Sequence, residues 1–316
     1  MTTYLITGIA GFIGSNIARA LLAKGASVRG LDNFITGKRA NLEDLRGIDF
    51  VEGTIEDPET CARVCQGVDF IFHEAALASV PRSVQDPVSS NSANVTGTLN
   101  LLVAARHAAV RRVVYAGSSS CYGDQPTLPK HEAMIPDPIS PYAVSKLTGE
   151  HYMRSFTRVY GLETVTLRYF NVFGPHQDPS SQYSGVLAKF SLAMLEGRTP
   201  IVYGDGTQSR DFTFIENVVD ANLRAISAPA EKVSGRVFNI ATEQRITLNQ
   251  AVENLRELTG YTGPVEYQAP RAGDIAHSLA DISLARAALG YQPIVNFHEG
   301  LRQTLLWYRG LAAAGS

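Results

Sequence analysis

Tyr142 and Lys146 stand four residues apart in the segment SPYAVSKLTGE. At i and i+4 on a helix, both side chains project from one face. A free phenol ionises near pH ~10, but a neighbouring cation favours the phenolate. Lys146, together with the positive charge of a nicotinium, is therefore expected to draw the Tyr142 phenol toward neutral pH, where it can lend and reclaim a proton. The pair means little alone, because Tyr-x-x-x-Lys is common on helix surfaces. It gains weight from Ser140 and Pro141 just before it, and from Ser118, Ser119 and Ser120 at the end of the run RRVVYAGSSSCYG. A hydroxyl at such a strand end can hydrogen-bond a substrate oxygen while its charge changes.

The segment YLITGIAGFIGSNIA reads as strand, tight turn and helix. Gly8, Gly11 and Gly14 fall where the chain must turn and let a ligand approach its backbone, and the helix that follows aims free N–H groups at a pyrophosphate. Asp32 closes the next strand, at the distance where a carboxylate binds the adenosine ribose. That carboxylate would repel a 2′-phosphate, so NAD is expected over NADP, with Lys38 and Arg39 the residues that keep NADP open. A bound nicotinium would add a second positive charge beside Tyr142.

Positioning these groups requires a layered scaffold. Apolar runs at Tyr4–Thr7, Ser27–Leu31, Phe50–Glu52, Phe70–His73, Arg112–Ala116 and Thr164–Leu167 alternate with helical spacing at Phe12–Lys24, Asn94–His107 and Tyr142–Tyr160. Such alternation predicts an α/β fold, a doubly wound parallel sheet of Rossmann type. Beyond Asn171 a polar loop and turn clusters separate helical runs at Leu187–Leu195, Asn217–Ile226, Leu248–Thr259, Ile282–Leu289 and Phe297–Leu311. The division expected is a nucleotide-binding part at 1–170 and a smaller mixed α/β substrate-binding part at 171–316. A stretch at about 211–242 returns to the sheet through Phe238–Ala241.

Composition excludes several classes. The 316 residues carry 28 Lys and Arg against 30 Asp and Glu, a formal charge of −2, which offers no basic footprint for nucleic acid. No apolar run is long enough for a membrane span, and the first residues enter a strand at once, so neither membrane nor export is expected. Three cysteines, Cys61, Cys65 and Cys121, fit a reducing cytoplasm and plain packing roles better than a disulfide framework. The seven histidines show no metal spacing, so no metal is expected. His73 reads as structural, and the aromatics around Trp307 as the apolar face of a terminal helix.

The motifs TGIAGFIG, HEAALASVPRS, GSSSCYGD, SPYAVSK, LRYFNVFGP, GDGTQSRDFTFIENV and RAGDIAHSLADIS together span nearly the whole chain. They resemble the extended short-chain dehydrogenase/reductases, and within them the UDP-N-acetylglucosamine and UDP-glucose 4-epimerases. The resemblance implies a redox-neutral isomerase. In it Tyr142 takes the proton of the sugar 4-hydroxyl while C4 passes hydride to NAD, and the hydride returns to the other face of the ketose. It implies Ser118 as the catalytic hydroxyl, assisted by Ser120, and Lys146 on the nicotinamide ribose. The implied cofactor contacts are Gly8, Gly11, Phe12, Ile13, Gly14, Asp32, Asn33, Gly37, Thr54, Ile55, Asn94, Tyr142, Lys146 and Tyr169. Relatives commonly carry Gly-Asp where this chain has Gly53-Thr54, so adenine recognition would fall to Thr54, the Ile55 backbone or Asp57.

On the substrate side the resemblance implies Asn171, Arg210 and Arg271 at the UDP diphosphate, Asp274 at the uridine ribose, and Ser79, Ser118 and Tyr142 at the sugar. Arginine suits a diphosphate because its planar fork pairs two oxygens at once. Ser278 aligns with a gate beside the sugar 2-position, where a tyrosine excludes an N-acetyl group and a small residue admits it. UDP-GlcNAc/UDP-GalNAc interconversion is therefore expected, with UDP-Glc/UDP-Gal also accepted. His277 lies next to that gate. Ser119 and Ser120 occupy places where sugar-nucleotide dehydratases and decarboxylases carry acidic residues, which argues against those reactions. The rivals are a UDP-hexuronate 4-epimerase, a decarboxylase or reductase of the same superfamily, and a non-catalytic NAD sensor; a sensor would not need Tyr142, Lys146 and Ser118 together. The helices at Val95–His107 and Tyr142–Tyr160 pair across a homodimer in relatives, which implies a homodimer here; Leu101, Leu102 and Tyr152 lie on the faces that would serve there, or equally pack inside the subunit.

Overall fold

A computed structural model describes residues 2–179, 185–270 and 276–314. Seven strands form one sheet: β1 (Thr3–Thr7), β2 (Ser27–Asp32), β3 (Asp49–Glu52), β4 (Phe70–His73), β5 (Arg112–Ser118), β6 (Glu163–Tyr169) and β7 (Arg236–Ile240). Their order is β7-β6-β5-β4-β1-β2-β3, and every neighbouring pair is parallel. The order reverses between β1 and β4, and the crevice at that switch point is where such sheets bind ligands. The Rossmann-type architecture expected from the sequence is the one observed.

Alternating residues send side chains to opposite faces of the sheet, and two buried clusters fill them. On one face Ile6, Phe72, Val114 and Leu167 pack with Ile17 of α1 (Phe12–Ala23). On the other, Leu5, Ile71, Val113 and Tyr115 pack with Val64 of α2 (Pro58–Cys65), Leu101 and Leu102 of α3 (Gly97–His107), and Met153 and Phe156 of α4 (Pro141–Tyr160). Leu101 and Leu102 have no exposed area, so they belong to this core and not to an outward face. Tyr152 also packs against it. The exposed apolar residues of α3 and α4 are instead Val103, Val144, Val159 and Tyr160.

The run from Asn94 to His107 is not one regular helix. Ser92–Thr96 forms a π-helical turn before α3 begins. Such turns offset the hydrogen-bond ladder by one residue and recur near functional sites. Beyond β6, helix α5 (Ile215–Ser227) covers the first face beside α1, with Val218 and Ala221 in its cluster. The later helices Val186–Leu195, Leu248–Thr259, Ser283–Leu289 and Phe297–Ala314 surround three small strand pairs. Phe173, Phe212, Phe214 and Phe297 join the first-face cluster, so one apolar core runs through both halves. No helix among the described residues is long and apolar enough to cross a membrane.

Candidate active site

The glycines after β1 shape a backbone cradle. Gly8 has φ +72, and a Cβ there would lie 2.7 Å from the Ala75 nitrogen. A Cβ on Gly14 would lie 2.3 Å from the Gly8 oxygen, so neither site admits a side chain. Gly11 caps α1 without a side-chain acceptor, which leaves the first-turn N–H groups, including those of Phe12 and Ile13, without a capping partner. Asp32 is 7 % exposed and accepts from the Ala10 N–H at 2.9 Å and the Phe34 N–H at 2.8 Å. Burial raises its pKa while these donors oppose the rise. Each of its oxygens retains a lone pair for a ribose hydroxyl. A Cβ on Gly37 would lie 2.8 Å from Oδ1 of this carboxylate, so Gly37 leaves it room.

Gly8, Gly11, Asp32, Asn33, Thr54 and Ile55 all line this cleft. A backbone that approaches closely, a free helix start and a buried carboxylate fit a dinucleotide. The two cations that left NADP open are engaged elsewhere: Lys38 with Asp178 at 2.6 Å, and Arg39 with Glu52 at 2.7 Å and the Phe34 ring at 4.1 Å. Asp57 caps α2 by accepting from Glu59 N, Thr60 N and the Thr60 hydroxyl. The Thr54 hydroxyl accepts from Glu56 N at 3.2 Å.

Tyr142, Lys146 and Ser118 converge at the carboxyl end of β5. Ser140 caps α4 by accepting from Ala143 N at 3.2 Å, and Pro141 fills the first helical position, where its missing N–H costs nothing. The Tyr142 N–H donates to Ser83 Oγ at 3.0 Å, tying the start of α4 to the short helix Val80–Gln85. Lys146 Nζ donates to the Ala116 carbonyl at 2.9 Å and lies 4.8 Å from the centre of the Tyr115 ring. Ser118 Oγ is 2.8 Å from Ser120 Oγ, and the Ser118 hydroxyl bonds the Tyr142 phenol.

In the protein alone burial pushes the Tyr142 phenol up to about 12, and Ser118 is the group that opposes it. The return toward neutral pH is expected of the NAD-bound site, where the nicotinium adds its charge to that of Lys146.

Several groups that sequence reasoning passed over hold this arrangement. Glu150, one turn beyond Lys146, accepts from Arg168 Nε at 2.9 Å and Nη2 at 2.7 Å, with both side chains 4 % exposed. This buried pair fastens α4 to β6. Glu74, at the end of β4, accepts from the Tyr169 hydroxyl at 3.0 Å and lines the cofactor cleft. His73 is fully buried between Thr7 Oγ1 and Thr98 Oγ1, and burial lowers its pKa to about 3, so it is a neutral structural group. The only signal of Glu74 was a carboxylate inside an otherwise apolar motif. The Glu150–Arg168 pair joins residues of different elements and has no local signature.

Two of the assigned contacts are engaged within the protein. Asn94 is 1 % exposed, with Oδ1 accepting from Leu77 N and Nδ2 donating to Leu77 O and Ser145 Oγ. It shapes the loop after β4, and both Nδ2 protons are engaged within the protein. Ser79 Oγ caps the helix Val80–Gln85 by accepting from Arg82 N at 3.2 Å. Its hydroxyl proton stays available.

A second cleft lies among residues of the second half of the chain. Asn171, Gln177, Tyr203 and Arg210 line it. Asn171 has φ +36, a strained backbone for a side-chain-bearing residue. Its Nδ2 donates to Asp211 O at 3.2 Å and reaches Ser278 Oγ at 3.5 Å. Arg210 Nη1 donates to the carbonyls of Ser209 and Ala276. Asp211, which has no exposed area, accepts from Thr242 N, the Thr242 hydroxyl, Glu243 N and Ala280 N, holding the strand after Ser278 against the sheet. His277 Nδ1 lies 2.9 Å from Ser209 Oγ. Arg271 and Asp274 lie outside the described residues. The described residues contain no cluster of His, Cys, Asp and Glu able to hold a metal.

Comparison with known proteins agrees with this geometry. Residues 4–241 match the NAD dependent epimerase/dehydratase family. The UDP-glucose 4-epimerase of Mycolicibacterium smegmatis is 40% identical over 310 residues, covering 96% of this chain and 98% of that one. The crystal structure of UDP-glucose 4-epimerase with UDP-glucose from Thermotoga maritima is 38% identical, with TM-score 0.94 over 98% of this chain and 100% of that one. A UDP-N-acetylglucosamine 4-epimerase from Methanobrevibacter ruminantium, in complex with UDP-N-acetylmuramic acid, is 37% identical, with TM-score 0.92 over 98% and 99%. The chain belongs to the NAD-dependent epimerase/dehydratase family, and its cofactor is NAD.

Proposed function

We propose that the chain is a UDP-hexose 4-epimerase that interconverts UDP-GlcNAc with UDP-GalNAc and UDP-Glc with UDP-Gal through a transient 4-keto sugar. The observation that carries this reading is the meeting of Tyr142, Ser118 and Lys146 at the carboxyl end of β5, in a fold that also has a glycine-shaped cleft suited to a dinucleotide and a second cleft lined by Asn171 and Arg210. NAD, when bound, supplies a hydride acceptor that becomes the donor, and a cationic ring near the phenol.

The protein's own groups do the rest. Gly8, Gly11, Phe12, Ile13 and Gly14 meet the pyrophosphate with backbone; Asp32, Asn33 and Gly37 meet the adenosine ribose; Thr54 and Ile55 face adenine. Lys146 holds the nicotinamide ribose with the protons not spent on Ala116, and Tyr169 closes the base of the site. Tyr142 Oη takes the proton of the sugar 4-hydroxyl and later returns it. Ser118, coupled to Ser120, hydrogen-bonds the same oxygen, which stabilises it as the carbonyl forms and collapses. Asn171, Arg210, Arg271 and Asp274 anchor the UDP while the sugar turns, and Ser79 contacts the sugar.

Substrate breadth rests on Ser278. Its small side chain is half-buried beside Asn171, and a serine there leaves the volume of a phenol ring open for an N-acetyl group. The protein is read as a cytoplasmic homodimer, with Val103, Val144, Val159 and Tyr160 offering apolar area on α3 and α4. Light scattering at micromolar concentration should give twice the chain mass, and a monomer removes that part. Residues 1–170 are assigned mainly to cofactor and 171–316 mainly to substrate.

The test is incubation of the NAD-loaded enzyme with UDP-Glc, UDP-Gal, UDP-GlcNAc, UDP-GalNAc and UDP-glucuronate, followed by chromatography of the products. Conversion of the first four with no net NADH is expected. Conversion of UDP-glucuronate alone, or of UDP-Glc and UDP-Gal without the N-acetyl pair, contradicts the assignment.

A further inference from the structure

Glu74 is a carboxylate at the heart of the cofactor cleft to which the proposed reaction assigns no task. It follows β4, and the register His73 to Tyr115 to Thr166 brings its backbone into line with Ala116 of β5 and Leu167 of β6. Phe72 and Leu167 belong to the cluster on the α1 and α5 face, so Glu74 and Tyr169, each two residues further on, share that face. Neighbouring strands lie about 4.8 Å apart, so β4 and β6 are separated by about twice that. A 3.0 Å hydrogen bond from the Tyr169 hydroxyl to Glu74 Oε1 therefore runs over the carboxyl end of β5. There the Lys146 ammonium, arriving on α4 from the opposite face, rests on the Ala116 carbonyl. Asn222 of α5 donates to the Tyr169 oxygen at 2.8 Å and fixes the phenol from behind.

We propose that Glu74 is the counter-charge of Lys146: a positioning residue whose carboxylate, held by Tyr169 across the end of β5, keeps the buried ammonium protonated and in place. Glu74 and Glu150 are the carboxylates whose charge favours the Lys146 ammonium, Glu74 the more strongly. Glu150 on the same helix is committed to Arg168. His73 of β4 is neutral between two threonines. Tyr115, Tyr142 and Cys121 are kept protonated by burial. Among the described residues around Lys146, Glu74 is the one carboxylate without an arginine or lysine salt bridge. Burial pulls the pKa of Lys146 down and that of Glu74 up, while their attraction acts against both shifts. The pair therefore titrates as a unit.

This inference rests on the proposed role of Lys146 only for its effect on turnover; the charge pairing stands on its own. The test uses protein labelled with 13C at lysine Cε. The Lys146 resonance is assigned by its loss in Lys146→Arg and titrated in the enzyme as purified and with NAD added. Glu74→Gln keeps an acceptor for Tyr169 and removes the charge. Its Lys146 midpoint should fall by about one unit or more, the effect of losing a close opposite charge. The alkaline limb of kcat should move to lower pH by the same amount. Tyr169→Phe, which withdraws a hydrogen bond that favours the carboxylate, should move the midpoint in the same direction by less. Glu74→Asp should restore most of it. An unmoved Lys146 midpoint in Glu74→Gln overturns the pairing whatever the activity. If Glu74→Gln does not fold, an unmoved midpoint in Tyr169→Phe does the same. A shifted midpoint in an enzyme without epimerase activity supports the pairing and contradicts the proposed reaction.

Discussion

Removing the Glu150 carboxylate should cost more stability than almost any other single change in this protein. The carboxylate accepts two charge-assisted hydrogen bonds from Arg168, at 2.9 and 2.7 Å, and lies 3.3 Å from the Cys121 thiol. Both charged side chains are 4 % exposed. Arg168 Nη1 already lacks a hydrogen-bond partner, so without Glu150 the guanidinium keeps only the Tyr122 ring, 4.7 Å away. A cation–π contact supplies about 2 kcal/mol at most, against several kcal/mol of desolvation for a buried ion. Glu150→Leu should therefore lose about 3–5 kcal/mol. Arg168→Met in the same protein should recover a large part of that loss, because no unpaired charge then remains. The control is Glu163→Gln. Arg112 is buried, but Glu163 is 35% exposed, so that loss should be about 1 kcal/mol or less. The assay is equilibrium urea unfolding followed by far-UV circular dichroism. Additive single losses of Glu150→Leu and Arg168→Met, each near that of Glu163→Gln, would refute the reasoning.

Further outcomes follow from the same geometry. Gly8→Ala forces a Cβ to within 2.7 Å of the Ala75 backbone at φ +72, so the protein should purify with little or no bound NAD; cofactor content by absorbance checks it, and full occupancy contradicts the cradle. Ser278→Tyr should reduce kcat/KM for UDP-GlcNAc at least tenfold while UDP-Glc changes less, read by product chromatography; equal losses contradict the gate. His73 is buried neutral with its pKa lowered to about 3, so the unfolded chain binds the extra proton first. Its contribution to stability is present above the ordinary histidine range and falls as pH drops from about 6.5 toward 3, by about 1.4 kcal/mol per unit. Urea unfolding of His73→Gln should show a correspondingly shallower acid dependence.

The sheet was legible because its strands are short apolar runs separated by helical periodicity, and six of them begin and end within two residues of where the sequence predicts. The Gly8 turn and the Tyr142–Lys146 pair were legible because each sits within one element, where spacing alone sets geometry. What the sequence could not convey depends on partners far along the chain. Leu101 and Leu102 read equally as an outward or an inward face because helical periodicity marks an apolar stripe without saying which neighbour covers it. The engagement of the Asn94 amide by Leu77 and Ser145 joins residues far apart in the chain and has no local signal. The cost of burying the Tyr142 phenol had no signal in the sequence, because a neighbour's charge can be read from spacing whereas burial cannot. Glu74 gives no hint of its task until β4, β5 and β6 stand side by side.

The reaction depends on the Tyr142 oxygen exchanging a proton with the sugar, and Tyr142→Phe removes that oxygen while leaving the ring that packs against Ser118. Bound NAD and epimerase turnover should be measured together on this variant. Undiminished NAD content with kcat lowered by about 100-fold or more is predicted, the scale of a lost general acid–base group. Turnover within tenfold of the unaltered enzyme, at equal NAD content, would contradict it.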